Sequence, residues 1–303
     1  MNEYYRVIPD FFPLADNLRQ HFVKQMSSPR QADEHRFVWD YWTVENQYSL
    51  VRTPAYHFFP EEIFDDFQNH LTRWGQENLG CLSISPAWLS YYPDGAFQNF
   101  HADIPHGPWA FVFSLTPWEG RSFEGGETLL LRPEILDFWN NFDSSVGLEA
   151  DSIFKVIPSP FNQLTVFDPR IPHGVSRVHG SRDPLKARLV IHGWFTEPRP
   201  FISKNVDEDL ATEELNDCLS GLVPQLAEFA SELTGILSIK ISTSPNQPVE
   251  IKMNSLVDRS DPLGRFEDNL SAEAIRRVVE HFSFYSFTCL TDQDDYIVIP
   301  LIF

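Results

Sequence analysis

The chain is poor in cysteine. Its 303 residues include three, Cys81, Cys218 and Cys289, which lie far apart and form no C-x-x-C pair. A scattered, odd-numbered set argues against a disulfide framework, and the missing C-x-x-C spacing argues against a zinc knuckle. We therefore expect reduced thiols and a cytoplasmic location, which would also suit an oxidation-sensitive metal.

Positive charge is scarce as well. The chain has 23 Lys and Arg against 43 Asp and Glu, a formal net charge of −20 at pH 7. Nucleic acids and anionic membranes select basic surfaces, so neither is expected as a partner. A basic peptide or protein substrate is compatible with this charge, although a high net charge also simply keeps a protein soluble.

Long apolar runs are missing too. No stretch of about 18 uncharged apolar residues occurs, so no membrane-spanning helix is predicted. Residues 1–6 lack a basic region followed by an apolar run, and no signal peptide is expected. Aromatic residues are abundant, with 26 Phe, 9 Tyr and 8 Trp. This content and the chain length predict a sizeable core in one large domain or in two.

A His-x-Asp pair, His101 and Asp103, follows a short aromatic strand that begins after a Pro-Asp-Gly turn. Side chains alternate along a strand, so the two residues point to the same face. His173, far along the chain, can complete a set of two imidazoles and one carboxylate. Such a facial set leaves three metal positions open and is diagnostic of non-haem Fe(II) oxygenases.

Each candidate ligand lies on or beside a predicted strand. Apolar, β-rich runs predict strands at 110–115, 123–131, 163–167 and 188–195, and a Gly-Gly turn leads into the second. Arg188 opens the last of these strands, and its guanidinium supplies a planar donor fork suited to a carboxylate.

This pattern resembles the 2-oxoglutarate/Fe(II)-dependent dioxygenases, and within them the prolyl 4-hydroxylase-like branch. The matching features are Tyr92, nine residues before the H-x-D pair, the F-E-G-G-E-T segment, His173 and the R-L-V-I-H-G-W-F strand. The resemblance covers about residues 75–200, and it makes residues 1–75 a helical preface. It implies an α+β fold with a double-stranded β-helix (jelly-roll) core and flanking helices.

The same resemblance implies the site. His101, Asp103 and His173 would bind Fe(II), Arg188 would bind the distal carboxylate of the cosubstrate 2-oxoglutarate, and Tyr92 would be a further cosubstrate contact. Ascorbate is an additional reductant that the resemblance allows.

The implied activity is hydroxylation of an unactivated C–H bond, with succinate and CO2 as coproducts. The branch favours a prolyl or other residue of a peptide or protein as substrate. A free amino acid or small natural product is the alternative, and a non-catalytic cupin-like binding protein is another. Halogenation is not expected, because halogenating relatives replace the metal carboxylate and Asp103 is present.

Several residues leave alternatives open. Prolyl 4-hydroxylases often place a basic residue about ten positions after the second histidine, where this chain has Arg182. The Gly-Ser-Arg-Asp-Pro context of Arg182 predicts an exposed turn, so Arg188 is preferred as the residue that binds 2-oxoglutarate. Tyr92 could equally be a core tyrosine. His192 is interpreted as a hydrogen-bonded core histidine. The remaining side chains considered were two rival histidines, His106 and His179, and Thr128, interpreted as a strand residue.

The composition changes after residue 204. Residues 205–303 hold eighteen acidic and six basic residues, and their predicted element order, β-β-α-β-β after a first helix, loosely resembles TonB C-terminal-like modules. We predict an oxygenase domain over 1–204, with its jelly roll at about 76–200, and a small α/β domain over 205–303 for partner binding, homodimerisation or a lid. The elements predicted outside the jelly roll are helices at 14–22, 60–67, 132–147, 207–232 and 271–281, and strands at 236–241, 249–253, 282–290 and 296–303.

Overall fold

The structure, a computed structural model, describes residues 4–28, 39–103, 106–132, 135, 153–244, 247–260 and 269–303. The helix predicted at 132–147 falls largely outside these residues. The chain forms two compact units, one of residues 5–71 and 84–196, the other of residues 72–83 and 197–303 together with the N-terminal residues up to Tyr4. The domain boundary predicted near residue 204 stays a prediction.

The strands of the described residues are β1 (Tyr5–Ile8), β2 (Asp40–Val44), β3 (Tyr48–Pro54), β4 (Cys81–Ile84), β5 (Trp88–Tyr92), β6 (Phe97–His101), β7 (Trp109–Ser114), β8 (Thr128–Leu131), β9 (Phe154–Ile157), β10 (Gln163–Phe167), β11 (His173–Val175), β12 (Arg188–Pro198), β13 (Phe201–Ile202), β14 (Leu233–Thr234), β15 (Ile236–Ser242), β16 (Val249–Asn254), β17 (Val257–Asp258) and β18 (Tyr296–Ile302). The helices are α1 (Ala15–Met26), α2 (Ala55–Phe58), α3 (Glu61–Leu79), α4 (Glu208–Leu226) and α5 (Leu270–Phe284), with 3-10 turns at Pro184–Lys186 and Ala227–Phe229.

Strands β5 to β12 belong to one twelve-stranded sheet, in which β3 joins two four-stranded arms. One arm has the order β10-β7-β12-β5, and the other has the order β6-β11-β8-β9. All neighbouring strands in both arms are antiparallel, and β3 pairs with both β5 and β6. Strands that pass back and forth between two such arms form a double-stranded β-helix, so the predicted jelly-roll core is confirmed.

The first 75 residues were predicted to be a helical preface, but they are not purely helical. They also contribute β1, which pairs with β10, and the β2–β3 hairpin. The helices of this region bury an apolar stripe with spacing of about four residues, seen at Leu18 and Phe22 in α1 and at Phe67 and Leu71 in α3. The Phe67 ring lies 4.8 Å from that of Phe113, so α3 packs on β7.

Apolar side chains of both arms of the sheet meet in the interior of the jelly roll. One buried cluster joins Leu50 of β3, Tyr92 of β5, Val175 of β11 and Val190 of β12. Alternation along each strand places these side chains on the inner face, and it directs neighbouring residues outward. Arg188 and His192 lie two residues on either side of Val190 on β12, so these polar side chains are on the same inner face.

The second unit has its own antiparallel sheet in the order β13-β18-β15-β16. The strand predicted at 282–290 is wrong, because α5 continues to Phe284 and buries Val278 and Phe282 on one face. The N-cap of α5 is Asn269, whose side chain accepts hydrogen bonds from the backbone of Ser271, the predicted cap. In α4 the helix continues past Pro224 to Leu226 before the 3-10 turn.

All three cysteines lie among the described residues. Cys81, Cys218 and Cys289 are buried free thiols. Burial raises the pKa of each thiol to about 12. Among the described residues, no helix is both long and apolar enough to cross a lipid bilayer.

Candidate metal centre

One strand pair brings the two candidate histidines together. His101 ends β6, His173 begins β11, and they are direct partners in the antiparallel ladder. Their ring centroids lie 4.3 Å apart. Asp103 follows two residues after β6, and its backbone N–H donates to the carbonyl of Pro169 at 2.9 Å, which ties it to the loop before β11.

The donor atoms of this triad converge. The Oδ1 atom of Asp103 lies 3.6 Å from Nε2 of His101, and its Oδ2 atom lies 3.4 Å from Nε2 of His173. All candidate ligand atoms lie within 4.8 Å of one another. Donors adjacent around an ion with bonds of about 2.1 Å are about 3 Å apart, so the triad is close to metal-binding geometry. Two imidazoles and one carboxylate fit Fe(II).

Backbone carbonyls fix the tautomer of both rings. Nδ1 of His101 donates to the carbonyl of Asn99 at 2.8 Å, and Nδ1 of His173 donates to that of Ile171 at 2.9 Å. A carbonyl can only accept, so the ring proton is on Nδ1 and the lone pair of Nε2 points toward Asp103. Two lone pairs and a carboxylate then face one another, an arrangement that a cation relieves.

The electrostatics of the triad favour the same state. Burial, and next the proximity of His173, lower the pKa of His101, so its imidazole is kept neutral. Burial raises the pKa of Asp103, but the proximity of His173 and His101 outweighs it, so the pKa of Asp103 is lowered. A neutral imidazole beside an ionised carboxylate is the protonation state that binds metal.

Arg188 is buried with part of its donor fork unused. The residue is 1% exposed, and its Nη2 donates to Oγ1 of Thr128 at 3.3 Å. Its Nε and Nη1 atoms have no hydrogen-bond partner in the described part of the chain. Gly126, with φ +81°, leaves room for the Arg188 stem, since a Cβ there would lie 3.2 Å from its Cδ. A buried cation lacking an anion is costly, so this side chain points to an anionic ligand.

Tyr92 supports the guanidinium from the neighbouring strand. Arg188 and Tyr92 are ladder partners, and the guanidinium carbon lies 4.5 Å from the phenol ring centroid. Burial lowers the pKa of Arg188, while the phenol of Tyr92 and the carboxylate of Glu127 raise it. Burial also raises the pKa of Tyr92, so the phenol is neutral at pH 7.

The triad and Arg188 line the same pocket. Its cavity volume is about 50 Å³. Tyr92 and Thr128 also line it. The four side chains predicted to bind metal and cosubstrate, together with Tyr92, are therefore brought to one cavity, while their ligand roles stay proposals.

The rival side chains lie elsewhere or have partners. Arg182 is exposed and pairs with Asp94 at 3.4 Å, as its turn context predicted. His192 lines the pocket and is hydrogen-bonded through Nε2 to Oγ of Ser90 at 2.8 Å, which confirms its interpretation as a hydrogen-bonded histidine. His106 is exposed and stacks on Trp194 with 4.5 Å between ring centroids. His179 is exposed.

Two pocket residues were missed or undervalued. Thr128 was interpreted only as a strand residue, but it also accepts the hydrogen bond from Arg188. Gln98 was not singled out, although its Nε2 donates to Nε2 of His101 at 3.0 Å. In the β6–β11 ladder, His173 pairs with His101 and Val175 pairs with Gln98, so β6 holds one extra residue there. This bulge turns Gln98 to the side of His101, against the regular alternation.

No protein-family model matches the chain, and no curated protein matches it. The structure is similar to that of a Pseudomonas putida prolyl-4-hydroxylase, at 17% identity, with 64% of this chain and 92% of that chain covered and a TM-score of 0.41. It is also similar to a viral collagen prolyl hydroxylase of Paramecium bursaria Chlorella virus-1, in its 2-oxoglutarate complex, at 15% identity, 63% and 94% coverage and a TM-score of 0.40. A third similar structure is HygX from Streptomyces hygroscopicus with nickel and 2-oxoglutarate, at 10% identity, 62% and 81% coverage and a TM-score of 0.40.

Proposed function

We propose that the chain is an Fe(II)- and 2-oxoglutarate-dependent dioxygenase that hydroxylates an unactivated C–H bond. The observation that supports this most directly is the pocket itself. Three donor atoms of the facial type converge at one end of it, and a buried guanidinium with two unpartnered nitrogens lies in the same cavity. A ligand that binds both must be anionic, and a dicarboxylate able to chelate a metal satisfies both requirements.

The residues of the chain have distinct roles in this proposal. His101, Asp103 and His173 hold the metal, and the carbonyls of Asn99 and Ile171 keep the two rings in the ligating tautomer. A cation at Nε2 of His101 replaces the hydrogen bond that Gln98 donates there. Fe(II) with 2-oxoglutarate supplies the oxygen-activating chemistry, in which the cosubstrate is converted to succinate and CO2.

Arg188 binds the distal carboxylate of 2-oxoglutarate in this proposal. Its unpartnered N–H groups would donate to the carboxylate oxygens, the charge-assisted pairing for which a guanidinium is suited. Thr128 and Tyr92 keep the fork in place, one through a hydrogen bond and the other through its ring face. The substrate is proposed to be a prolyl or other residue in a peptide or protein.

The test is turnover with Fe(II), 2-oxoglutarate and a panel of proline-containing peptides and free amino acids. The expected result is substrate-dependent succinate release together with a product heavier by one oxygen atom. Asp103→Ala should abolish both, whereas Arg182→Ala should not. A metal-loaded protein that binds no 2-oxoglutarate would instead support the non-catalytic, cupin-like alternative. Turnover of a free amino acid alone would move the substrate to the small-molecule class.

A further inference from the structure

A second arginine, Arg52, lies on the inner face of the barrel unit. It is held between two indole rings, with its guanidinium carbon 3.6 Å from the Trp42 ring centroid and 4.0 Å from that of Trp88. Trp42 is on β2, Arg52 is on β3 and Trp88 is on β5, so three neighbouring strands form the clamp. Contacts of this kind hold a guanidinium through its face and leave its edge, which carries the N–H donors, for other contacts.

No carboxylate of the described residues uses that edge. Asp40 is opposite Arg52 in the β2–β3 ladder, but the two form no ion pair in this part of the chain, and the Nε atom of Arg52 is buried without a hydrogen-bond partner. Arg177 is a useful contrast, because it too stacks on a ring, that of Phe97 at 4.0 Å, but its Nη1 donates to the carbonyl of Gly95. Arg52 is therefore positioned by its neighbours while its donors remain available.

Arg52 is also close to the metal pocket. It is the ladder partner of Ser90 on β5, and Oγ of Ser90 is hydrogen-bonded to His192, which lines the pocket. Ladder partners project to the same side of a sheet, so Arg52 is on the pocket side. Its charge reaches the pocket too, because burial, Arg188 and Arg52 together lower the pKa of His192 to about 3.

The clamp around Arg52 is accessible to solvent from the β2–β3 hairpin. Trp42 is 37% exposed, so the clamp is open at its outer side. The net charge of −20 disfavours anions over most of the surface, whereas this part of the inner face presents a cation held by apolar rings. Such a site selects a carboxylate on a molecule that already occupies the pocket.

We propose that Arg52, clamped by Trp42 and Trp88, is a carboxylate-binding subsite for the substrate, so that the substrate class is acidic. The inference rests on the proposed function in that the occupant is the molecule hydroxylated at the metal. The contact between Arg52 and the carboxylate is noncovalent and transfers no proton. Its role is to fix how the substrate enters the pocket.

The experiment uses the full chain loaded with Mn(II) and saturated with 2-oxoglutarate, so that Arg188 is already occupied. Calorimetric titrations compare probe pairs that differ only in carboxylate against carboxamide. One arm uses blocked proline peptides with Asp or Glu against Asn or Gln one to four residues from the proline. The other arm uses free amino acids with an acidic or amide side chain. The variants are Arg52→Gln, Arg52→Lys and the matched control Arg177→Gln.

The expected result is that at least one acidic probe binds about ten- to a hundredfold more tightly than its amide, the range for a charged hydrogen-bonded contact. Arg52→Gln should remove this preference, Arg52→Lys should retain part of it, and Arg177→Gln should leave it unchanged. Thermal denaturation checks that each variant is folded. If Arg52→Gln does not fold, the partial loss in Arg52→Lys carries the test.

Equal binding of every acid–amide pair to the wild-type chain would overturn the subsite, as would a preference that survives in Arg52→Gln. The failure of the proposed function has a different signature. If the preference depends on Arg52 but the Fe(II) protein never releases succinate, the subsite stands and the oxygenase proposal fails. If succinate-coupled hydroxylation proceeds with no preference for acids, the oxygenase proposal stands and the subsite fails.

Discussion

Arg188 should be costly for the stability of the ligand-free protein and necessary for cosubstrate binding, and Arg188→Met separates the two effects. The side chain is 1% exposed and two of its nitrogens lack partners among the described residues. Methionine has a similar length and needs no hydrogen bonds. Replacing buried charge with apolar side chains of similar volume is neutral or stabilises a protein by about 1–4 kcal/mol. We expect the metal-loaded, cosubstrate-free variant to melt several degrees higher than wild type, at about 2–4 °C per kcal/mol for a domain of this size.

Binding should change in the opposite direction. The distal carboxylate of 2-oxoglutarate would be left buried and unpaired, at a cost of about 3–5 kcal/mol by analogy with broken buried ion pairs. That is about two to three orders of magnitude in affinity. At a 2-oxoglutarate concentration about 100 times its wild-type Kd, wild type gains about 2.7 kcal/mol of stability. The variant gains almost none. With 2-oxoglutarate present, the difference between the melting temperatures of the variant and wild type should therefore shrink or change sign.

The assay is differential scanning calorimetry of Mn(II)-loaded protein with and without 2-oxoglutarate, with Arg182→Met as the control. Arg182 is exposed, so its substitution should change neither melting temperature. The reasoning is refuted if Arg188→Met is stabilised by 2-oxoglutarate as much as wild type. It is also refuted if Arg182→Met loses that stabilisation, because the wrong arginine would then have been assigned.

Three further outcomes are expected. Asp103→Asn keeps the side-chain shape but removes the charge, so Mn(II) affinity should fall by more than the roughly 10–100-fold typical of residues that only support ligands; calorimetric titration that finds an unchanged affinity would exclude Asp103 as a ligand. Gly174→Ala places a Cβ 2.6 Å from the carbonyl oxygen of Gln98. It should destabilise the β6–β11 ladder by about 1–3 kcal/mol and weaken Mn(II) binding. Gly120→Ala, whose Cβ would meet no neighbouring atom, should retain metal binding. Burial lowers the pKa of His192 to about 3, so below about pH 6.5 the unfolded chain binds a proton that the folded chain does not, and stability is lost as pH falls. His192→Asn should therefore reduce the loss of unfolding free energy between pH 7 and pH 5 by about 2 kcal/mol. Urea titrations that show the same loss in both proteins would contradict this.

The three candidate metal ligands could be selected from the sequence because their signals are local. An H-x-D pair on a strand, a histidine after a proline turn and an arginine at a strand start can each be read from a few neighbouring residues. Their convergence required only that β6 and β11 pair, which the jelly-roll resemblance supplied. The strand at 163–167 was predicted to the residue, because a short apolar run between turn signals has few other interpretations.

The side chains that were missed depend on long-range register. Arg52 comes to the pocket side through pairing of β3 with β5, residues almost forty positions apart, and nothing near Arg52 in the sequence indicates that partner. Gln98 is turned by a bulge that breaks the two-residue period. The false strand at 282–290 overlaps the end of α5, where Phe282 continues the buried stripe of the helix and Phe284 is exposed.

The two kinds of predicted contact lie on different arms of the sheet. His101 and His173 are on paired strands of the arm β6-β11-β8-β9, while Arg188 and Tyr92 are on paired strands of the arm β10-β7-β12-β5. A small molecule bound at one end to the metal and at the other to Arg188 would therefore link the two arms. Ordering of the barrel would then be coupled to cosubstrate concentration, and amide protons of β6 and β12, although on different arms, should both exchange more slowly with solvent when the cosubstrate is bound.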